Sequence, residues 1–350
     1  MTSIVMAADS NYLPYVMCAI ARIGEHGSGA DGVVLITPPS MEASAIAPIH
    51  GVARAYGVDL TTVEMREVGE LTSAGMLRPQ DHVTTFTYSK LFMAEVLSDL
   101  DEILYLDVDT LIRGSLDPVL NTTLCNPIGA VRELGNSGVP LFGTNAVPYF
   151  NAGVLRMSLA RLRDEKLAEK SIEILGDRRR LAFQDQDVLN LLFRDRHDVL
   201  PQTFNVFDAY TRHTMSTWEA LKDPAIVHFA GSGKPWHSDM RTKFAKEWRM
   251  LHADVLGLRG SDRSEYISSR TSIWQEHVHA ALVKARYSRV GVKARSALPV
   301  RVKHGLNQLA LAVTPRRSKL NRQIEYALQY GHDIEVVTGS TKSAPSTEVV

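Results

Sequence analysis

Cysteine is nearly absent from this chain: only Cys18 and Cys125 occur among 350 residues. Neither has a second cysteine or a histidine at metal-ligand spacing. Two alone build no disulfide framework, so both are expected as free thiols in a reducing compartment. Excess charge of either sign is also missing, with 39 Lys and Arg against 39 Asp and Glu. The molecule as a whole is therefore not a nucleic-acid binder by charge. No apolar run approaches the roughly 18–20 residues that a membrane span requires. Met1 to Ala8 carries no basic run ahead of a long apolar stretch, and it reads as a first strand rather than a signal peptide. No GxGxxG follows that strand, which removes the dehydrogenase type of dinucleotide site. No internal repeat is visible.

What is present is the composition of a soluble globular protein, 45% apolar and 22% charged, with ample chain for a sizeable core. Up to about residue 257 strand and helix signals alternate. Short apolar runs predict strands over 4–8, 32–37, 60–66, 103–106, 128–131, 154–157 and 225–229. Helical periodicity and stop signals predict helices over 13–23, 42–56, 88–100, 159–175, 187–193 and 241–256. This rhythm predicts an α/β fold, a mostly parallel central sheet with helices on both faces. Ligands of such sheets bind beyond the carboxyl ends of the strands.

After residue 257 the character changes, and three units are expected: 1–257, 258–337 and a disordered tail 338–350 rich in Ser and Thr. Between 279 and 322 there are eleven basic residues, from Lys284 to Arg322, and no acidic one. Leucines and valines interleave them. A basic, mainly helical extension of this kind suits an anionic surface such as the inner face of a membrane, and it is equally what a solvated charged helix looks like. Cytoplasmic residence is expected, with peripheral membrane attachment through 279–322.

Five short constellations carry chemistry. At the end of an apolar strand stand Asp107, Val108 and Asp109. Residues two apart on a strand point the same way, so both carboxylates can reach one hard cation such as Mg²⁺ or Mn²⁺. Solvated loop carboxylates are the alternative. The run Ala8-Asp9-Ser10-Asn11-Tyr12 offers an acceptor for a base N–H and an aromatic face, or simply a helix cap. Tyr149-Phe150-Asn151-Ala152-Gly153 places small residues beside an amide where a ligand can approach closely, or makes a plain turn into a strand. In the run Gln184 to Asn190 the four leading polar side chains, Gln184, Asp185, Gln186 and Asp187, could grip sugar hydroxyls, or match a helix dipole. In the fifth, His228 at a strand end is a third metal ligand in waiting, or a satisfied structural histidine. Gly231 and Gly233 allow backbone approach to phosphate, and Lys234 supplies positive charge.

Taken together, AADSNY, YSKLF, LYLDVDTLI, FNAGVL, DQDVLN and HFAGSGKPW resemble, in order and spacing, glycosyltransferase family 8, of the glycogenin and bacterial lipooligosaccharide galactosyltransferase type. The resemblance covers about residues 1–250. It implies a Rossmann-like GT-A fold and a retaining, Mn²⁺-dependent hexosyltransferase (with Mg²⁺ as the other suitable ion). The donor would be a UDP-sugar carrying galactose or glucose. The acceptor would be a saccharide, glycolipid or protein hydroxyl, and no specific nucleic acid is implied. Residue by residue, Asp107, Asp109 and His228 would bind the metal. Asp9, Asn11 and Tyr12, with Ala8 beside them, would hold the uridine. Gly231 and Lys234 would contact the diphosphate next to Val108. Asn151, Asp185 and Gln186 would face the sugar. Lys90 stands where the family often has Arg, keeping the charge but losing the planar fork, which bears on donor choice.

Because an amide is a poor nucleophile at position 186, same-face attack is expected rather than double displacement. Two rivals stand beside this reading. One is a non-catalytic nucleotide-sugar sensor or membrane scaffold. The other is a haloacid-dehalogenase-type phosphatase, whose DxDGT motif the run Asp107 to Leu111 does not complete.

Overall fold

The computed structural model describes residues 2–27, 29–39, 41–73, 85–134, 138–143, 147–177, 181–209, 223–236, 240, 242–259, 263, 264 and 267. The extension expected over 258–337 lies outside the described residues but for 258, 259, 263, 264 and 267. The basic run 279–322 and the tail 338–350 lie wholly outside them.

In chain order the strands are β1 (Ser3–Ala7), β2 (Val33–Thr37), β3 (Leu60–Glu64), β4 (Glu102–Leu106), β5 (Thr110–Ile112), β6 (Ile128–Arg132), β7 (Phe150–Ser158), β8 (His197–Val199), β9 (Val206–Phe207) and β10 (Ile226–His228). The helices are α1 (Leu13–His26), α2 (Ala43–Ala55), α3 (Glu67–Ser73), α4 (Met93–Val96), α5 (Asp117–Leu120), α6 (Val139–Phe142), α7 (Leu159–Asp164), α8 (Leu167–Gly176) and α9 (Gln184–Phe193), followed by a last described helix, Lys243–Val255. A seven-stranded sheet has the order β3-β2-β1-β4-β7-β6-β8, and a small sheet has the order β5-β10-β9. In the large sheet β1, β2, β3 and β4 pair in parallel, as do β6 and β8, while β7 runs antiparallel to both of its neighbours.

The central strands β1, β2 and β4 are largely apolar because both faces of the sheet are covered there. Ile4 and Met6 of β1 join one core with Leu104 and Leu106 of β4, under Val16 and Ile20 of α1. Val5, Ile103 and Tyr105 point the other way and join a second core with Leu91, Leu162 and Val188. This alternation is the two-residue period of a strand. Helix α1 starts with Pro14 in its first turn, where a missing N–H is harmless. It stops at Gly27, whose N–H donates to the Ile23 carbonyl at 2.7 Å. A third core sets the last described helix on the small sheet: Trp248, fully buried, packs with Phe244, Val227 and Phe229. Burying one such aromatic stabilises the fold by about 3 kcal/mol, and this anchors β10.

Two expected helices are broken. Residues 88–100 do not form one helix but a 3-10 helix, Thr85–Leu91, followed by the four-residue α4. The expected helix 159–175 divides into α7 and α8 at Lys166, whose φ of 58° is left-handed. In both places the apolar residues still reach the core, so the hydrophobic period survives while the backbone ladder does not. Strands β5, β8 and β9 have two or three residues each, too short for a period to show. Among the described residues no helix is long and apolar enough to cross a membrane.

Candidate active site

The chain leaves β1 outward to β2 and β3, then returns to the other side of β1 as β4. Between β1 and β4 the sheet therefore has a switch point, where the two outgoing loops diverge and open a crevice. The register that sets Val5 beside Tyr105 brings both strands to an end at one edge. Asp9 follows the first and Asp107 the second, and both line one cavity of about 540 Å³.

His228 reaches this edge through the small sheet. Strand β10 pairs antiparallel with β5 so that His228 lies opposite Thr110. The Phe229 N–H donates to the Asp109 carbonyl at 2.9 Å, extending the pairing past the strand end. Ligand atoms of Asp107, Asp109 and His228 all lie within 4.8 Å of one another. Tyr105 and Lys90 hold the Asp107 carboxylate, with Lys90 Nζ reaching Oδ2 at 3.5 Å, Lys234 holds Asp109, and one oxygen of each aspartate is turned to the histidine. Asp107 Oδ1 accepts from the Tyr105 hydroxyl at 2.7 Å and faces Lys90 Nζ at 3.1 Å, while its Oδ2 is 3.7 Å from His228 Nε2. Asp109 Oδ2 is bound by Lys234 Nζ, and its Oδ1 is 3.3 Å from His228 Nε2. Burial opposes charge on Asp109, yet Lys234 and His228 hold its carboxyl far below the ordinary carboxylate range.

Gly153 makes the trio possible. A Cβ there would lie 2.1 Å from His228 Cε1 and 2.9 Å from Asp107 Oδ2. Three donors of this kind, two carboxylates and an imidazole, fit a divalent cation that keeps further positions for a ligand. The orientation of the imidazole fits as well. His228 Nδ1 lies 3.0 Å from Asn205 Oδ1. With hydrogen on Nδ1, Nε2 is the ring nitrogen that faces the two carboxylates and could ligate a cation placed among them.

Lys90 is 3% exposed and joins the metal trio to the polar start of α9. Its Nζ is 2.9 Å from Asp185 Oδ2, and Thr87 donates to Asp185 Oδ1 at 2.8 Å. Burial works against charge on Lys90, but Asp107 and Asp185 together raise its pKa above the ordinary lysine range. Burial, with the charge of Asp107 nearby, raises the Asp185 carboxyl against the opposing pull of Lys90. Lys90 Nζ thus lies between the two carboxyl groups, 3.1 Å from Asp107 and 2.9 Å from Asp185.

The polar residues of α9 divide into two groups. Asp187 accepts from the Tyr149 hydroxyl at 2.6 Å and from the Phe183 N–H at 2.9 Å. Asn190 accepts from the Phe150 N–H and donates to the Phe150 carbonyl, both at 2.9 Å. These two fasten the helix to β7. Asp185 and Gln186 line the cavity. Gln186 Oε1 accepts from Asn151 Nδ2 at 2.7 Å and from the Ala152 N–H at 3.1 Å. Between the clamps, Gln184 has a left-handed φ of 44°, rare for a residue with a side chain and worth roughly 1–3 kcal/mol of strain. That turn lets the helix begin directly at the cavity wall.

On the other side, Ala8, Asp9 and Tyr12 line the cavity with Val108, Gly231 and Lys234. Asp9 Oδ1 accepts from the Asn11 N–H at 2.9 Å. Asn11 itself is exposed and does not line the cavity. The Tyr12 ring meets Trp236 edge-on at 5.7 Å, and Trp236 stacks on Tyr15 at 3.8 Å. Burial pushes the Tyr12 hydroxyl above its ordinary range. Gly231 has φ 84° and open space where a side chain would stand.

The structure thus brings Ala8, Asp9, Tyr12, Lys90, Val108, Asn151, Asp185, Gln186, Gly231, Lys234 and the metal trio to one cavity, and leaves Asn11, Asp187, Asn190 and Gly233 out of its lining. It adds three lining residues that motif reading passed over, Tyr105, Glu133 and Thr87, and sets Asn205 against His228. Tyr105 was available, being two residues before Asp107 on the same strand face. Glu133 follows β6 and lines the cavity, so the strand-end rule that flags Asp107 applies to it. Thr87 and Asn205 had no sequence signal, because only the tertiary contacts give them partners.

With this geometry in view, comparisons with known proteins agree on one family. The model described as Glycosyl transferase family 8 matches residues 3–240. Glycosyltransferase GlyF of Streptococcus pneumoniae serotype 4 is 26% identical over 285 residues, which is 77% of this chain and 67% of that protein. Lipopolysaccharide 1,3-galactosyltransferase of Salmonella typhimurium is 31% identical over 176 residues, 44% of this chain and 50% of its own length. The crystal structure of galactosyltransferase LgtC with donor and acceptor sugar analogues superposes with a TM-score of 0.62 at 25% identity, covering 76% of this chain and 100% of that one. The chain belongs to glycosyl transferase family 8 and is a hexosyltransferase with a GT-A fold.

Proposed function

We propose that this enzyme moves a hexosyl unit, galactose or glucose, from a UDP-sugar to a hydroxyl of a saccharide, glycolipid or protein, with retention at the anomeric carbon. The observation that carries this reading is the convergence of Asp107, Asp109 and His228 beside Lys234 at the switch point of the sheet. Mn²⁺ held by those three residues would supply charge to a diphosphate leaving group. Lys234 lies against Asp109 and adds fixed positive charge where negative charge develops. Tyr12, braced by Trp236, offers a ring face for a base, and Asp9 lies beside it at the cavity wall. The similarity to lipopolysaccharide 1,3-galactosyltransferase of Salmonella typhimurium supports a hexose donor.

Retention by double displacement needs a nucleophile below the sugar ring. Gln186 Oε1 already accepts two hydrogen bonds, from Asn151 and from the Ala152 N–H. Both lone pairs of that oxygen are thereby occupied, which favours same-face attack with Gln186 and Asp185 orienting the sugar. A buried Lys90 in place of a guanidinium presents a point charge, and it bears on which donor sugar fits.

The test is a panel of UDP-sugars with Mn²⁺, read as UDP release, with and without chelator, beside Asp109→Asn. Release that depends on metal and falls about 100-fold or more in the variant supports the reading. Release indifferent to both would overturn the metal assignment. Binding of UDP-sugar with no release to any acceptor or to water would point to a sensor instead.

A further inference from the structure

Asn205 belongs to none of the sequence motifs, yet it is 1% exposed and sits between the metal trio and the sugar-facing amides. It closes the short 3-10 helix Gln202–Phe204 and immediately precedes β9. Pairing of β9 with β10 places Phe207 beside His228, so the backbone that carries Asn205 is fixed relative to the histidine.

The direction of every hydrogen bond through Asn205 can be deduced from two backbone N–H groups, which can only donate. The Ala152 N–H donates to Gln186, so the atom it meets is the amide oxygen Oε1. The Gly153 N–H donates to Asn151 at 2.8 Å, so that atom is Oδ1. Asn151 must then turn its Nδ2 to Gln186 Oε1, as observed at 2.7 Å. Asn205 meets the same Asn151 Oδ1 at 2.8 Å and must present Nδ2 to it. Its remaining atom, Oδ1, faces His228 Nδ1 at 3.0 Å and can only accept. His228 is therefore required to carry hydrogen on Nδ1, which turns Nε2 toward Asp107 and Asp109.

We propose that Asn205 is a positioning residue with two tasks: it holds hydrogen on Nδ1 of His228 so that Nε2 is the metal-facing atom, and it ties that ring to the Asn151 and Gln186 amides. The inference deepens the proposed function and rests on its metal site. A ligating histidine whose other nitrogen donates to a fixed acceptor keeps its ring orientation, and losing such a partner typically weakens metal affinity about 10- to 100-fold. The link to Asn151 means that displacement at the metal is felt at the sugar-facing side, and the reverse.

The test uses the full chain with Asn205→Leu, Asn205→Asp and Asp109→Asn, and melting temperatures to identify folded variants. Free Mn²⁺ is titrated by electron paramagnetic resonance. Asn205→Leu should weaken Mn²⁺ binding about 10- to 100-fold. Asn205→Asp, whose carboxylate still accepts from Nδ1–H, should bind Mn²⁺ close to wild type. It cannot donate to Asn151 Oδ1, so its kcat should stay reduced while the metal is restored. A second arm needs no metal: ¹⁵N-histidine spectra, with His228 assigned through His228→Gln, read which ring nitrogen carries hydrogen. Wild type and Asn205→Asp should show Nδ1–H, and Asn205→Leu should lose it. A bare Nδ1 in wild type, or Asn205→Asp losing Mn²⁺ as completely as Asp109→Asn, would overturn the inference. Wild type that binds no Mn²⁺ but keeps Nδ1–H sinks the metal site instead and leaves the tautomer assignment standing. Should the Leu variant not fold, the Asp variant and the wild-type spectrum decide.

Discussion

Gly153 and His228 are in contact across the join of the two sheets, and no side chain fits between them: a Cβ at position 153 would stand 2.1 Å from the ring carbon Cε1. The clash is with a ring held by Asn205, not with a mobile chain end, so relief requires moving the ring. Gly153→Ala is expected to keep the fold and displace His228 from the two aspartates. A shift of this kind costs about 100-fold in rate when it misplaces reacting groups. Steady-state UDP release at several Mn²⁺ concentrations measures it. Activity within a few-fold of wild type at all of them would show that the ring has another place to go.

Lys90 is the buried charge set between the buried Asp185 carboxylate and the part-exposed Asp107 carboxylate. Removing one partner of a buried ion pair typically destabilises by about 3–5 kcal/mol, because the remaining charge is left without compensation. Lys90→Met, which keeps the aliphatic stem, should lose stability of that order in urea unfolding. Lys90→Arg should stay close to wild type in stability and change the ranking of donor sugars. Equal unfolding midpoints for Met and Lys would mean that Asp107 and Asp185 do not share the ion.

Gln186 is held by Asn151 and by the backbone of β7, and on the proposed same-face route it orients the sugar rather than attacks. Gln186→Ala is expected to lower kcat and leave measurable turnover. Complete loss of turnover together with a glycosyl group trapped on the protein would sink the same-face route.

His252 lies between Trp248 and Tyr15 and is buried as a neutral ring. Burial lowers its pKa from 6.5 to about 4. Between those values the unfolded chain binds more protons than the folded one, so stability rises with pH. The contribution is complete above 6.5 and is lost as pH falls toward about 4. It amounts to at most about 3 kcal/mol. Melting curves across that range should show a shallower pH dependence in His252→Gln than in wild type. Identical slopes would assign the acid sensitivity to other groups.

Much of the sheet is legible in the chain because burial on both faces forces continuous apolar runs, and β1, β2 and β4 are such runs. Carboxylates at their ends, Asp9 and Asp107, follow from the rule that ligands bind at the carboxyl edge. The polar run at 184–187 was visible, but its division was not. Asp185 and Gln186 face the cavity, while Asp187 clamps α9 to β7, and only the contacts of Tyr149 and Phe183 separate those roles. The broken helix at Lys166 was hidden because a helical period of apolar residues does not report backbone hydrogen bonds.

The sequence by itself determined the Asp107 and Asp109 pair, the layered α/β class and the family resemblance. These depend on local composition and order, which the chain carries without folding. Only the tertiary structure decided which oxygens of those aspartates are spoken for, why residue 153 has no side chain, and that Asn205 governs His228. Those facts depend on β10 pairing with β5 and β9, contacts between residues far apart in the chain, and no local pattern encodes a distance of that kind.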